Sequence, residues 1–295
     1  MEQYLKEYEN CTLCPRNCGV NRRRGQVGFC GLTDSVKIAR AALHYWEEPE
    51  LSQDAGSGAI FFTGCNLRCI YCQNHDISSD NNGYEISVEQ LAREYIRLQE
   101  EGALNINLVT AAMHVPRVIM ALDMAKGLGL NIPVVYNSSG YESIKTLKML
   151  EGYVDIYLPD LKYLNSALAE ELSNVKDYPE VAMAALDEMY SQKKKMIVRH
   201  LVLPGHTKES MEVIKYLYEA YGDDICISIM SQYTPIESLS DKFLKKNHSE
   251  LTRRITKREY DKVVNYALEL GIENAYIQER DVALESFIPD FYKKS

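Results

Sequence analysis

The sequence predicts an α/β protein built on a parallel sheet, with a separate cysteine-rich segment in front of it. Three observations lead there. Six short apolar runs alternate with longer periodic segments from residue 58 onward, the first 50 or so residues lack that alternation, and seven of the eight cysteines lie within the first 72 residues. Residues 59–62 read as a buried strand, followed by a loop containing glycine and cysteine. Ser87-x-x-Gln90 is a capping box that opens a helix with Val88, Leu91, Ala92, Tyr95 and Leu98 on one face. Strand and helix then alternate: strand 105–110 and helix 116–126, strand 132–136 and helix 142–150, strand 153–158 and helical pattern from 165 to about 193. Strand 196–203, closed by Pro204-Gly205, precedes helix 208–220; strand 225–230 and a late helix over 257–270 complete the pattern.

Six units are too few to close an eight-stranded barrel, which leaves a partial barrel or a doubly wound sheet. In both, chemistry sits in the loops after the carboxyl ends of the strands. The expected division is a cysteine-rich metal-binding cap over 1–52, a core over 53–255, and a C-terminal helix and strand over 256–295 that close the barrel.

With 46% hydrophobic and 25% charged residues, the 295-residue chain has the composition of an ordinary globular protein. Its 33 basic and 42 acidic side chains leave a net charge of −9, which argues against a general nucleic-acid binder. Arg22-Arg23-Arg24 and Lys193-Lys194-Lys195 read as a solvated turn and a solvated helix end. The first ten residues are charged and lack an apolar run, and no stretch approaches the roughly 18 apolar residues of a membrane span. A cytoplasmic chain without a membrane partner is therefore expected, in which clustered thiols mean metal rather than disulfide.

Cys65, Cys69 and Cys72 form C-x3-C-x2-C directly after the first of these six strands. Three thiolates on one short loop can hold three irons of a [4Fe–4S] cluster, which ordinarily takes four cysteines. One iron then keeps an open position, as catalytic zinc does and structural zinc does not. A zinc knuckle completed by His75 is the competing reading, although zinc sites favour paired C-x2-C units. Cys11, Cys14, Cys18 and Cys30 supply a complete set of four, which by count suits structural zinc, a second cluster, or four reduced thiols. Their spacing is not the C-x2-C-x2-C-x3-C ferredoxin run. Cys226, in an apolar strand, reads as a small hydrophobe, and His44 to Pro49 as a packed linker.

The C-x3-C-x2-C loop after that strand resembles the radical S-adenosylmethionine (radical SAM) superfamily and, within it, uncharacterised relatives of the pyruvate formate-lyase activating enzyme. The likeness extends to the Cys11–Cys18 run, Gly58-Ala-Ile-Phe-Phe-Thr-Gly-Cys65, Cys72-Gln-Asn, Met230-Ser-Gln-Tyr-Thr-Pro235, Ile277-Gln-Glu and Pro289-Asp-Phe291. The resemblance implies a partial (β/α)6 barrel and an oxidoreductase that reductively cleaves S-adenosylmethionine at a [4Fe–4S] cluster. A 5′-deoxyadenosyl radical then takes hydrogen from a substrate, which for the activating enzymes is a glycyl-radical protein. It further implies an electron donor such as flavodoxin or ferredoxin. Asn137 and Ser138 after the third strand, Asp160 and Lys162 after the fourth, and Arg199 on the fifth match the positions of the family's cofactor contacts.

Two departures stand out. The family's Gly-Gly-Glu is replaced by the stretch Thr110 to Pro116, which leaves Thr110 or backbone carbonyls for the methionine amine and brings His114 close. Asn137 also stands where the activating enzymes carry Asp. Radical modification of a small molecule or RNA, and a non-catalytic iron–sulfur redox or metal-binding protein, remain as alternatives.

Overall fold

The computed structural model describes residues 2–235 and 246–278. A turn of helix, α1 (Glu2–Leu5), leads through the cysteine-rich segment to β1 (Val36–His44), α2 (Pro49–Ser52), β2 (Ser57–Phe62), α3 (His75–Ser78) and β3 (Tyr84–Ile86). Then come α4 (Val88–Glu100), β4 (Ile106–Val109), α5 (Val115–Gly127), β5 (Val134–Ser138), α6 (Ile144–Leu150) and β6 (Ile156–Pro159). Two helices follow, α7 (Ser166–Ser173) and α8 (Tyr178–Ser191), before β7 (Lys195–Leu201), α9 (Thr207–Tyr221), β8 (Cys226–Met230), α10 (Lys257–Glu269) and β9 (Ala275–Ile277). The strands form one nine-stranded sheet in the order β3-β1-β2-β4-β5-β6-β7-β8-β9. It is parallel from β2 to β9, with β1 and β3 antiparallel at one edge. This is the mixed α/β fold of a partial (β/α)6 barrel, with Cys11, Cys14, Cys18 and Cys30 in its N-terminal segment.

The structure differs from the sequence expectation in two places. The single helix expected from 165 to about 193 is broken: Asn174 turns left-handed at φ 55° and ends α7, and Pro179 sits in the first turn of α8. Within the expected cap, β1 pairs with β2 from Ile38 opposite Phe62 to His44 opposite Ser57, so that residues 36–44 share the sheet of the core. A register shift between Ile38 and Arg40 breaks the two-residue period along β1. Glu279, the last residue of the Ile277-Gln-Glu motif, and the Pro289-Asp-Phe291 run lie outside the described residues.

The two-residue period of a strand separates the faces of the sheet. Val134, Tyr136, Tyr157, Val198, Ile227 and Ile229 face the helices and join the main core. The alternate residues Val135, Leu158, Ile197 and Cys226 face inward and pack around Leu51 of α2, which closes that end of the barrel. One more step of two along β5, β6 and β7 brings Asn137, Asp160 and Arg199 onto this inner face. Leu51→Ala should therefore cost about 2–5 kcal/mol, the range for truncating a buried leucine, as a lower midpoint in chemical denaturation.

Candidate metal and cofactor site

The loop after β2 carries Cys65, Cys69 and Cys72 and is tied down along its length. Ile70 N–H donates to Leu172 O at 2.9 Å, and the Asn66 side-chain amide donates to Tyr141 O at 2.6 Å. The guanidinium of Arg68 donates to Phe29 O at 2.9 Å and to Ser79 O at 3.2 Å. Each sulfur has a polar neighbour. Leu67 N–H donates to Cys65 Sγ at 3.4 Å, Ser173 Oγ lies 3.0 Å from Cys69 Sγ, and Ser78 Oγ lies 3.3 Å from Cys72 Sγ. Ser173 is in turn joined to Tyr163 at 3.0 Å, and Tyr163 to Tyr71 at 2.5 Å. Burial pushes the Cys69 thiol up to about 11 and raises Cys65 further, so a thiolate here needs a compensating positive charge.

All three cysteines line one cavity of about 170 Å³, and the structure brings Thr110, Asn137, Ser138, Asp160, Lys162 and Arg199 to the same cavity. The polar wall is a connected network. Asp160 accepts from Lys162 Nζ at 2.6 Å and from Arg199 Nε at 2.9 Å, while Arg199 Nη2 donates to Asn137 Oδ1 at 2.7 Å. Burial raises the Asp160 carboxyl, but Arg199 and Lys162 more than offset it and hold it below the ordinary carboxylate range. Burial likewise lowers Lys162, and Asp160 and Cys69 more than offset that. Both cations therefore stay charged.

Backbone conformation fixes this wall. Gly140 has φ +77°, and a Cβ there would stand 2.2 Å from Asp160 O, so the β5 loop can pass close to the end of β6 only as glycine. Tyr178 Oη bridges the same loops, donating to Ser139 O at 2.8 Å and accepting from Lys162 N–H at 3.0 Å. Thr110, a β-branched residue at φ 61°, is a strained position on the cavity wall, with its N–H bound to Asn137 O at 2.9 Å. His114 does not reach the cavity. It is fully buried, stacked on Phe62 at 5.3 Å and bonded through Nε2 to Thr63 O at 3.1 Å.

Among the described residues, the trio of ligand atoms within 4.8 Å of one another is His75, Asp76 and Asp80, at the surface, and no three cysteine sulfurs come that close. A tetrahedral zinc with Zn–S bonds of about 2.3 Å would hold its sulfurs roughly 3.8 Å apart. His75 pairs with Asp80 at 3.4 Å rather than completing a zinc knuckle with the three cysteines.

In the N-terminal segment Cys11, Cys14 and Cys30 are buried and Cys18 is exposed. Their sulfurs face donors: Phe29 N–H to Cys18 Sγ at 3.3 Å, the backbone of Arg16 to Cys14, that of Leu32 to Cys30, and Arg22 Nη1 to Cys11 Sγ at 3.9 Å. Gly28 is required beside them, since a Cβ there would meet Cys18 Sγ at 2.9 Å. Arg22 corrects the reading of a solvated turn, because it is 1% exposed, lies 4.5 Å over the Tyr8 ring, and donates to Met113 O at 2.8 Å and Thr33 O at 2.9 Å. Among the described residues no salt bridge to Arg22 is found, and its guanidinium also reaches a sulfur, Cys11 Sγ, at 3.9 Å. Cys226 packs as a small hydrophobe in the inner layer.

Sequence reasoning missed Glu47 and Glu48, which precede α2 and turn inward. Glu47 Oε2 lies 3.4 Å from Arg199 Nη1. Their local sequence carries no periodic signal.

A family model described as the radical SAM superfamily matches residues 59–217. The chain is 30% identical to the uncharacterized protein MJ0674 of Methanocaldococcus jannaschii over 276 residues, 91% of this chain and 77% of that protein. It is 24% identical to the pyruvate formate-lyase 1-activating enzyme of Escherichia coli over 150 residues, 49% of this chain and 60% of that enzyme. Among solved structures, Streptococcus suis SuiB bound to precursor peptide SuiA aligns with a TM-score of 0.51 and 13% identity, over 73% of this chain. The chain spans about half of SuiB, 46% of its length.

A pH dependence follows from the carboxyl beneath β5. Burial raises Glu142 from 4.5 to about 8, against hydrogen bonds from Tyr136 and Ser138. A raised carboxyl pKa stabilises the fold fully below about pH 4.5, and the contribution is lost as pH rises through about 8. The stability of Glu142→Gln, measured by denaturant titration across that window, should decline less with pH than that of the parent.

Proposed function

The chain belongs to the radical SAM superfamily, and on that premise we propose that it carries a [4Fe–4S] cluster on Cys65, Cys69 and Cys72 and binds S-adenosylmethionine on the strand ends beside it. The observation that carries this reading is the single cavity lined by the three cysteines and by Thr110, Asn137, Ser138, Asp160, Lys162 and Arg199. When bound, the cluster supplies an electron and S-adenosylmethionine supplies a 5′-deoxyadenosyl radical that takes a hydrogen atom from the substrate.

The donor set suits such a cluster. Three cysteines are one short of its four irons, which leaves one iron an open position. Leu67 N–H, Ser173 and Ser78 stabilise the thiolates by hydrogen bonding, and Lys162 adds positive charge near Cys69. Lys162 and Arg199, held charged by Asp160, attract the methionine carboxylate. Asn137, Ser138, Thr110 and exposed strand-end carbonyls accept from its amine and the ribose hydroxyls.

The similarity to the pyruvate formate-lyase 1-activating enzyme over half the chain supports a protein substrate, of the glycyl-radical type in this reading, and the reduced cluster requires an electron donor of the flavodoxin or ferredoxin class. Cys11, Cys14, Cys18 and Cys30 form a second metal site in the N-terminal segment, with Arg22 as its counter-cation. Burial raises the Cys14 and Cys30 thiols, and the donors facing these sulfurs oppose it; by count the set suits zinc or a second cluster.

Anaerobically reconstituted, dithionite-reduced protein should convert S-adenosylmethionine to 5′-deoxyadenosine and methionine, with Cys69→Ala lowering the rate at least about 100-fold. Undiminished turnover by that variant would remove Cys69 from the cluster. Metal and sulfide analysis should find about eight irons per chain, and about four in Cys11→Ala/Cys14→Ala. One zinc with about four irons in the parent would instead assign zinc to the N-terminal set.

A further inference from the structure

A second and larger chamber, about 560 Å³, adjoins the cysteine cavity, and Arg199 lines both. Its walls come from the linker between β1 and β2, from Gln73 directly after Cys72, and from Ser228, Met230 and Tyr276 on β8 and β9. The sequence alone reads this linker as packed, with a hinge or lid edge as the other reading.

The chamber's chemistry is one-sided. Glu47, Glu48 and Asp54 line it, and among the described lining residues the one Lys or Arg is Arg199, which is already engaged by Asp160 at 2.9 Å and by Glu47 at 3.4 Å. His44 adds no positive charge at neutral pH, because burial pushes its pKa down to about 4. Glu48 is 8% exposed; Ser228 hydrogen-bonds its carboxyl, and among the described residues its Oε2 has no partner. A buried carboxylate oxygen without a donor is costly, and a donor arriving with a ligand would relieve it. Burial also raises the Glu48 carboxyl to about 7, with Arg199 opposing, which reflects the same shortage of positive charge. Tyr45, Trp46 and Tyr276 line the same chamber, with Tyr45 48% and Trp46 51% exposed. Carboxylate and aromatic faces together recognise a cationic nitrogen: the first as a charge-assisted acceptor, the second through cation–π attraction.

Resting on the radical SAM reading above, we propose that this chamber seats the substrate by a positively charged nitrogen, a lysine side chain in a peptide or a free aliphatic amine. Glu48 accepts from the ammonium, the rings of Trp46 and Tyr276 cover its alkyl stem, and the neighbouring carbon skeleton points across Arg199 toward the cysteine cavity. The acidic balance of the chain, −9, favours approach of such a substrate.

Calorimetric titration of the anaerobic, unreduced holoprotein saturated with S-adenosylmethionine tests this. Nα-acetyl-lysine N-methylamide should bind at least tenfold more tightly than Nα-acetyl-norleucine N-methylamide, and Glu48→Gln should erase that preference. Trp46→Leu, at the exposed rim, should weaken the lysine compound several-fold and provides a second reading if Glu48→Gln does not fold. Cadaverine binding as tightly as the lysine compound supports a free amine, and tight binding of the lysine compound alone supports a peptide. Equal affinity for lysine and norleucine compounds overturns the inference, as does displacement of S-adenosylmethionine by the lysine compound or an intact preference in Glu48→Gln. If the parent protein still forms 5′-deoxyadenosine after reduction, such a result leaves the proposed function standing. Absence of that product strikes the proposed function itself, whatever binds in the chamber.

Discussion

The buried ion pair between Asp160 and Arg199 is the contact on which the arrangement of the cavity rests. Asp160 stands just past the end of β6 and Arg199 within β7, and a backbone bridge pairs the two residues directly. Both side chains are more than four-fifths buried. Burial alone would neutralise the acid, and the pair resists this because Lys162 and Asn137 satisfy its remaining hydrogen bonds. A buried ion pair is poor evidence for stability, but it is a strong positional constraint. It sets two permanent cations beside the three-cysteine loop, where burial raises the Cys65 and Cys69 thiols.

The same logic recurs in the N-terminal segment with the signs arranged differently. Arg22 is buried against a tyrosine ring, two carbonyls and a cysteine sulfur, without a salt-bridging carboxylate among the described residues. At Asp160 a protein anion balances protein cations. At Arg22 the described neighbours are carbonyls, a ring and a sulfur. Both regions use backbone proximity that only glycine permits, Gly140 against Asp160 and Gly28 against Cys18. Charge and close approach thus act together in each.

Much of the fold was legible because buried parallel strands are short apolar runs set between amphipathic helices. The six inner strands from β2 to β8 and the capping box at Ser87 follow from local pattern. The edge strands were harder to read. β3 and β9 have three residues each, and the bulge in β1 destroys the alternation that would reveal it. The break at Asn174 was hidden because a single left-handed residue leaves the flanking helical pattern intact. The three-cysteine loop and the strand-end residues were legible from spacing and from family resemblance. Glu47, Glu48 and Arg22 were not, since nothing adjacent to them in sequence marks them as buried.

The sequence by itself determined which residues sit at strand ends and which thiols share a loop, because both follow from the two-residue period of a strand and the short reach of a turn. Tertiary structure alone decided which charges lose their water. The curl of the sheet carries the linker before α2 into the barrel interior, and the packing of Thr33 and Met113 over Arg22 removes that arginine from solvent. Burial is a property of the closed surface, summed over residues far apart in the chain, so no local pattern announces it. The character of the chamber next to the three cysteines depends on that property.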